Sequence, residues 1–383
     1  MFNGHAKVSQ GSINRRTALA SLAASVVAPG LALAQGADIL IGQSAPLSGG
    51  MAPTMTGVLA GQQLAFDEVN KRGGLNGRPV KLVILDDGFD PKRSLENARA
   101  LVEQNQAIAL FGFVGTAQTA AVLPYIVEKR VPLISVYSGS PALRVKPNPY
   151  FFTTQASYAD ELIKMTRNLM AAAQSRIAVV YQNNDFGKLL APLAEKIIAA
   201  EGATVVASKA LDAGGADAVA VSQSLLEAKP QGIIMLVAGP AVVAFVKANK
   251  VTAGVPIYTL SLSVGTAILK ALGDDARGMA ISRATPYPWH PVLPLTRNFN
   301  QLMERAGKPV DYDHFVGYIN GRIIIEGLRK AGKNPTAESL TQAMEKLGKL
   351  DLGGFVWNYS PQNHHGSNFV EISVVGPRGN FIR

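Results

Sequence analysis

The chain reads as an α/β protein made of two similar halves, each built on a parallel sheet. Three features of the sequence say so. From Asp38 onward, short apolar runs rich in β-branched residues alternate with longer segments of helical period, the pattern of βαβ units. The alternation begins again near Tyr158, so the series is run through twice. A crossing marked by Pro286, Pro288, Pro291 and Pro294 then leads into a closing group of helices. Two halves joined by extended crossings imply a cleft, and clefts at domain interfaces are where small ligands bind.

In the first half, "DILIGQS" is the first strand and "VKLVILDD" the second. Asp90-Pro91 then offers an N-cap followed by proline at the first helical position, and Leu95, Ala98, Leu101 and Val102 fall on one helix face. "AIALFG" and "VPLISVY" are the next strands, each followed by a loop carrying Gly or Ser. Ligands of open parallel sheets bind at strand C-terminal ends, which places Ser44, Thr116 and Ser138 at one rim.

The second half begins with a helix to about Ala173 and strand "RIAVVYQ". A helix from Phe186 to Ala200 follows, with Leu190, Leu193, Ile197 and Ile198 as its core-facing stripe. Next come "TVVASKAL", a helix from Ala216, and the strands "GIIMLVA", "PIYTLS" and "GMAISRA". Helices resume from about Leu295 to Ala331.

The turn in "LFGFVGTAQTAA" is the first candidate site. A glycine turn between strand and helix presents backbone N–H groups to an anion. It is not a P-loop, because Thr116 and Ala117 stand where the phosphate-reaching Lys would follow Gly115. No G-x-G triplet occurs in the chain, so the dinucleotide fingerprint is absent as well. A site for a smaller anion and a plain tight turn with Thr116 as N-cap both remain open on these residues.

Composition narrows the function. With 48% hydrophobic and 17% charged residues over 383 positions, the chain can bury one large or two medium cores. "NRRTALASLAASVVAPGLALAQ" sets an arginine pair before an apolar run that ends at Ala32-Leu33-Ala34, which reads as a cleaved export signal over residues 1–34. Arg15-Arg16 fits either twin-arginine or Sec export. There are no cysteines, hence no disulfide framework and no lipid-modified cysteine, and the mature protein is expected to be freely soluble in the periplasm. Gly232 to Val246 comes nearest to a membrane span and is interrupted by Gly239-Pro240.

Loss of Lys7, Arg15 and Arg16 from the 37 basic residues leaves 34 against 27 acidic ones. These charges are dispersed, with no basic run and no interleaved aromatics, so nucleic acid is not an expected partner. No G-x-S-x-G elbow and no cysteine supply a nucleophile, and an enzyme is not expected. No metal or other cofactor is expected. His364 and His365 are adjacent and read as a surface loop, while Asp86, Asp87 and Asp90 lack the spacing of a calcium loop.

Taken in order, "ILIGQSAPLSG", "GVLAGQQLAFDEVNKRGGLNGRPVKLVILDDGFDPKRSLENARALVEQ", "GFVGT", "RVPLIS", "GSPALR", "ASYADE" and "NDFGK" resemble the type I periplasmic solute-binding proteins of the leucine/isoleucine/valine-binding kind. The resemblance runs from about Ile39 to the C-terminus. It implies two Rossmann-like lobes joined by a hinge of roughly three crossing strands and closing on a ligand. The lobes are expected over 37–156 with 286–348, and over 157–285 with 349–383. Expected partners are a small amino acid or organic acid, and the membrane permease and ATPase of an ABC importer. A sensing receptor for a signalling partner would use the same cleft.

The resemblance also implies site residues. In amino-acid-binding members, the turn matching Gly115-Thr116 and the loop matching Ser138 to Ser140 hold the ligand's carboxylate. Relatives set an acid of the second lobe against the ligand's ammonium, whereas this chain offers Ser261 and Tyr158 at those places, and Ala238-Gly239-Pro240 where an aromatic is frequent. The expected ligand-binding set is Ser44, Thr54, Gly115, Thr116, Ser138, Ser140, Tyr158, Tyr181, Gly239 and Ser261. Neutral partners in the second lobe favour an aromatic or branched carboxylic acid over an α-amino acid, with Asp160, Glu161 and Asp185 as the acids that would restore an amine.

Overall fold

Apolar, β-branched runs form the strands of two sheets in a computed structural model that describes residues 1–5, 37–290 and 292–382. Apart from its first five residues, the expected export signal lies outside the described residues. Residues 36–383 form one compact unit, and the account below concerns that unit.

The first sheet contains β1 (Ile39–Ala45), β2 (Val80–Asp86), β3 (Ala109–Phe111), β4 (Leu133–Ile134) and β5 (Phe151–Phe152) in the order β2-β1-β3-β4-β5. All of its pairings are parallel. The second sheet contains β6 (Arg176–Gln182), β7 (Thr204–Leu211), β8 (Gly232–Leu236), β9 (Ile257–Thr259) and β10 (Ala280–Arg283) in the order β7-β6-β8-β9-β10. These pairings are parallel too. The two orders are the same, so each sheet has a switch point beside its first strand.

Helices α1 (Ala52–Lys71), α2 (Pro91–Arg99) and α3 (Thr116–Lys129) connect the first sheet. Helices α4 (Tyr158–Ala171), α5 (Asp185–Ala200), α6 (Ala218–Ser224), α7 (Pro240–Thr252) and α8 (Thr266–Leu272) serve the second. The last three are α9 (Pro294–Arg305), α10 (Tyr312–Ala331) and α11 (Ala337–Glu345). Capping follows the sequence where it was legible: Asp90 accepts from the Arg93 N–H with Pro91 beginning the helix. Leu190 and Ile198 are buried in the second half's core, with Leu193 and Ile197 at its margin.

Three expectations are corrected. Strand "VPLISVY" is cut to Leu133–Ile134, because Ser135 takes a left-handed φ of 60° that turns the chain out of the sheet. The hairpin of β11 (Gly348–Asp351) and β12 (Val356–Tyr359) packs in the first half, not the second. Leu352, Phe355, Trp357 and Tyr359 belong to the same core as Ile41, Phe66 and Phe111. Trp357 Nε1 donates to the Thr154 carbonyl at 2.8 Å, and the Tyr359 hydroxyl donates to that of Thr153 at 2.9 Å. Only β13 (Glu371–Val375) and β14 (Phe381–Ile382) join the second sheet, both antiparallel. Three crossings therefore link the halves: after β5, after β10 and before β13. His364 and His365 lie on this last approach and are partly buried, not on a free loop, with His365 Nδ1 3.0 Å from Thr153 Oγ1.

Helices α1 and α10 meet through glycine. A Cβ on Gly317 would collide with the Val58 carbonyl oxygen, one on Gly61 with the His314 carbonyl oxygen, and one on Gly321 would stand 2.6 Å from Ala65 Cβ. Two of these obstacles are backbone atoms, which cannot rotate aside. Gly317→Ala is therefore expected to cost about 3 kcal/mol, the upper end of the range for overpacking. Denaturant unfolding checks it; an unchanged midpoint would mean that the helices can separate without loss.

Candidate functional site

The C-terminal ends of β1, β3 and β4 gather the first-lobe residues. Gly115 caps α3 with φ 98°, a backbone that side-chain-bearing residues rarely adopt. Thr116 is thus the first helical residue and not the N-cap that the tight-turn reading gave it. Its Oγ1 is freed to meet Ser138 Oγ at 2.9 Å. The Ser140 N–H donates to Ser138 Oγ at 3.3 Å, while Ser140 Oγ is buried and has no partner among the described residues.

Tyr158 completes this cluster from the second half. Its N–H donates to the Gly139 carbonyl at 2.7 Å, and its ring lies so close that a Cβ on Gly139 would come within 2.6 Å of it. The phenol is buried beside the Ser138 and Thr116 hydroxyls, and burial pushes its pKa up to about 12. Thr116, Ser138, Ser140 and Tyr158 are thus brought together as neutral donors and acceptors.

Ser44 is turned to another task. Its hydroxyl donates to Asp87 Oδ2 at 2.8 Å and accepts from Asn97 Nδ2 at 3.1 Å, fastening β1 to α2 behind the rim. Asp86 accepts from the Ser48 hydroxyl and from the Gly88, Leu47 and Ser48 N–H groups, which lower its pKa and hold the loops after β1 and β2. Thr54 is buried in the first turn of α1. Tyr181 is half-buried and packs against the core under α4 and α5.

Gly239 caps α7 with φ 69°, the same place in the second sheet that Gly115 holds in the first. A Cβ on Gly239 would lie 3.7 Å from Met51 Sδ, so the two rims approach here.

Ser261 is held by Glu161. The Ser261 N–H and hydroxyl donate to the carboxylate at 2.7 and 3.1 Å, and the Ser282 hydroxyl donates as well. Burial pushes the Glu161 carboxyl up in pKa, and these donors act against it. Asp160 is occupied in the capping box of α4, accepting from the Ser157 N–H and hydroxyl at 2.8 and 2.6 Å. Asp185 is exposed at the start of α5.

A cavity of about 10 Å³ between the halves, room for one water, is lined by Tyr137, Gln155, Ser261, Arg283, Tyr312 and Asp313, among others. Arg283 and Asp313 were missed from sequence. Their signals were an arginine ending the apolar strand "GMAISR" and an acid just inside a helix in "DYDHF". Arg283 sets a cation and Asp313 an acid beside Ser261 in this cavity, neither of them in the expected set. Asp313 comes from α10 and its Oδ2 accepts the Thr266 N–H of α8 at 2.6 Å, joining the lobes. A Cβ on Gly265 would stand 2.8 Å from that oxygen, so the close approach depends on glycine. Burial raises the Asp313 carboxyl pKa.

Two parallel-sheet lobes with facing switch points, glycine-capped rims and a polar cavity between them define a bilobed small-molecule binding protein. The family model for periplasmic binding proteins matches residues 38–378, and the chain belongs to that family, of type I and the leucine/isoleucine/valine-binding kind. It is 29% identical over 220 residues to the Leu/Ile/Val-binding protein BraC3 of Rhizobium johnstonii, covering 56% of this chain and 58% of that protein. The alignment thus spans a little over half of that relative's length. A substrate-binding periplasmic protein from Ralstonia solanacearum has the same fold at TM-score 0.82 and 30% identity, covering 90% of this chain and 99% of that one. A branched chain amino acid ABC transporter from Thermus thermophilus with bound valine superposes at TM-score 0.80 and 18% identity, over 91% of this chain and 95% of that one.

Asp313→Ala should release the Thr266 amide. Hydrogen exchange at the start of α8 is expected to quicken by tenfold or more in the variant. Exchange at the wild-type rate would show that this bond does not fasten the lobes.

Proposed function

We propose that the chain is the periplasmic solute-binding component of an ABC importer, exported by its N-terminal signal, and that it captures a small carboxylate-bearing ligand between its lobes. The observation that carries this reading is the hydroxyl cluster of Thr116, Ser138, Ser140 and Tyr158, built from both lobes at the glycine-capped start of α3. Unpaired N–H groups and the dipole at that helix start favour an anionic group. A branched or aromatic carboxylic acid, or a related amide, fits better than an α-amino acid. Glu161 already receives three donors and Asp160 two, which leaves an enclosed ammonium only the exposed Asp185 of the three acids held in reserve for it. Gly239 and Ser261 complete the second-lobe side in this reading, and Thr54 and Ser44 support the first.

A thermal-shift screen of the mature chain against amino acids, aromatic acids, aliphatic acids and amides tests the ligand class, since a ligand of the native state raises the melting point. A panel in which leucine or valine alone stabilises the protein would reject the organic-acid preference. For the ligand so found, Thr116→Val should weaken binding about tenfold or more, because a donor to a charged group is worth roughly 1.5–3 kcal/mol. Unchanged affinity by calorimetry would remove Thr116 from the site. Small-angle scattering should show a smaller radius of gyration with that ligand; the same radius at saturation would argue for a rigid pocket.

A further inference from the structure

Arg283 is enclosed between the lobes with most of its bonding capacity unused. It ends β10, is 3% exposed, and lines the inter-lobe cavity. Its one recorded hydrogen bond is a long one, from Nη1 to the Val264 carbonyl at 3.4 Å. Nε and Nη2 have no partner among the described residues, and no ion pair joins Arg283 to an acid there. The guanidinium lies 4.0 Å from the centre of the Tyr312 ring and 4.8 Å from that of Phe381, which fixes its plane and leaves its edge for hydrogen bonding.

Two of the acids around it bond elsewhere, Glu161 to Ser261 and Ser282 and Asp313 Oδ2 to the Thr266 amide, while Glu371 stands opposite it in the β10–β13 register. Burial disfavours the charged guanidinium more than the Asp313 and Glu161 carboxylates favour it, and its rigid fork of N–H groups matches a carboxylate. Stacking on two rings could hold the side chain for packing alone, but Met would fill that slot without the charge.

We propose that Arg283 receives the ligand's carboxylate where the inter-lobe cavity widens to admit it, so that the site selects small organic acids by charge. This rests on the reading of the cleft as a solute site and goes beyond it, since it makes the second lobe the half that reads charge. The hydroxyls of Thr116, Ser138 and Tyr158 then donate to the same carboxylate, and Arg283 balances its charge.

Calorimetry on the mature chain with 4-methylpentanoate, 4-methylpentanamide and leucine separates the possibilities. In wild type the acid should bind at least tenfold more tightly than the amide. In Arg283→Met this preference should shrink below threefold, and Arg283→Lys should retain part of it. An acid preference that survives in Arg283→Met overturns the proposal and returns charge recognition to the first lobe. If the wild type binds none of the three probes, the ligand class proposed above fails while Arg283 is still decided by the ligand-free melting point of Arg283→Met. A midpoint equal to or above wild type supports a cation kept for binding. A midpoint several degrees lower marks Arg283 as a packing group and overturns the assignment.

Discussion

Burial of polar groups where two lobes meet is the constraint from which the rest of this site follows. Each donor or acceptor taken from water there needs a protein partner or a ligand, and an orphan costs on the order of 1–3 kcal/mol, more when charged. The structure satisfies most of them internally. Glu161 is matched by Ser261 and Ser282, Asp313 by the Thr266 amide, and Thr116 by Ser138. Ser140 Oγ and two nitrogens of Arg283 are among the buried polar atoms left without a partner in the described residues, and Arg283 lines the cavity between the lobes. Unused N–H donors beside a cavity suit a ligand that brings acceptors and negative charge.

The repeated strand order explains why these groups face each other. Each sheet reverses direction beside its first strand, and there the helix after the third strand begins at a positive-φ glycine, Gly115 in one lobe and Gly239 in the other. Glycine is needed at both places for the backbone conformation. The first lobe's rim is therefore built by backbone geometry, while the second lobe's charged member comes from a side chain at the end of β10. The two halves share a scaffold and contribute different chemistry.

Much of this was legible in the chain. Period-2 and period-3.6 patterning gave the two sheets and most helices, and Asp90-Pro91 gave a helix start to the residue, because such signals are local. The rim residues Thr116 and Ser138 were legible from their places after strands. Three things were not. "VPLISVY" shows no sign that Ser135 will adopt φ 60° and end the strand. The β11–β12 hairpin joins the first core because Trp357 and Tyr359 bond to carbonyls about 200 positions earlier, a long-range fit that no window contains. Arg283 and Asp313 look like ordinary charges until the crossings fold them under cover, and only then does their lack of solvent give them meaning.

That last point bears on how closure and selectivity are coupled. Asp313 joins α10 to α8 through a hydrogen bond that needs no ligand, so the lobes have a contact of their own. Arg283 is enclosed by the same approach, and there desolvation disfavours its charged form more than the Asp313 and Glu161 carboxylates favour it. If the lobes close on a ligand as proposed, one buried ion would favour closure and the other would oppose it. An acid seated on Arg283 would remove the opposing cost and leave the Asp313 bond in force, whereas an amide or an amine of similar shape would not. Selectivity would then be exercised in the closing step itself: many small molecules could enter the open cleft, but only those that neutralise the guanidinium would let the lobes remain together.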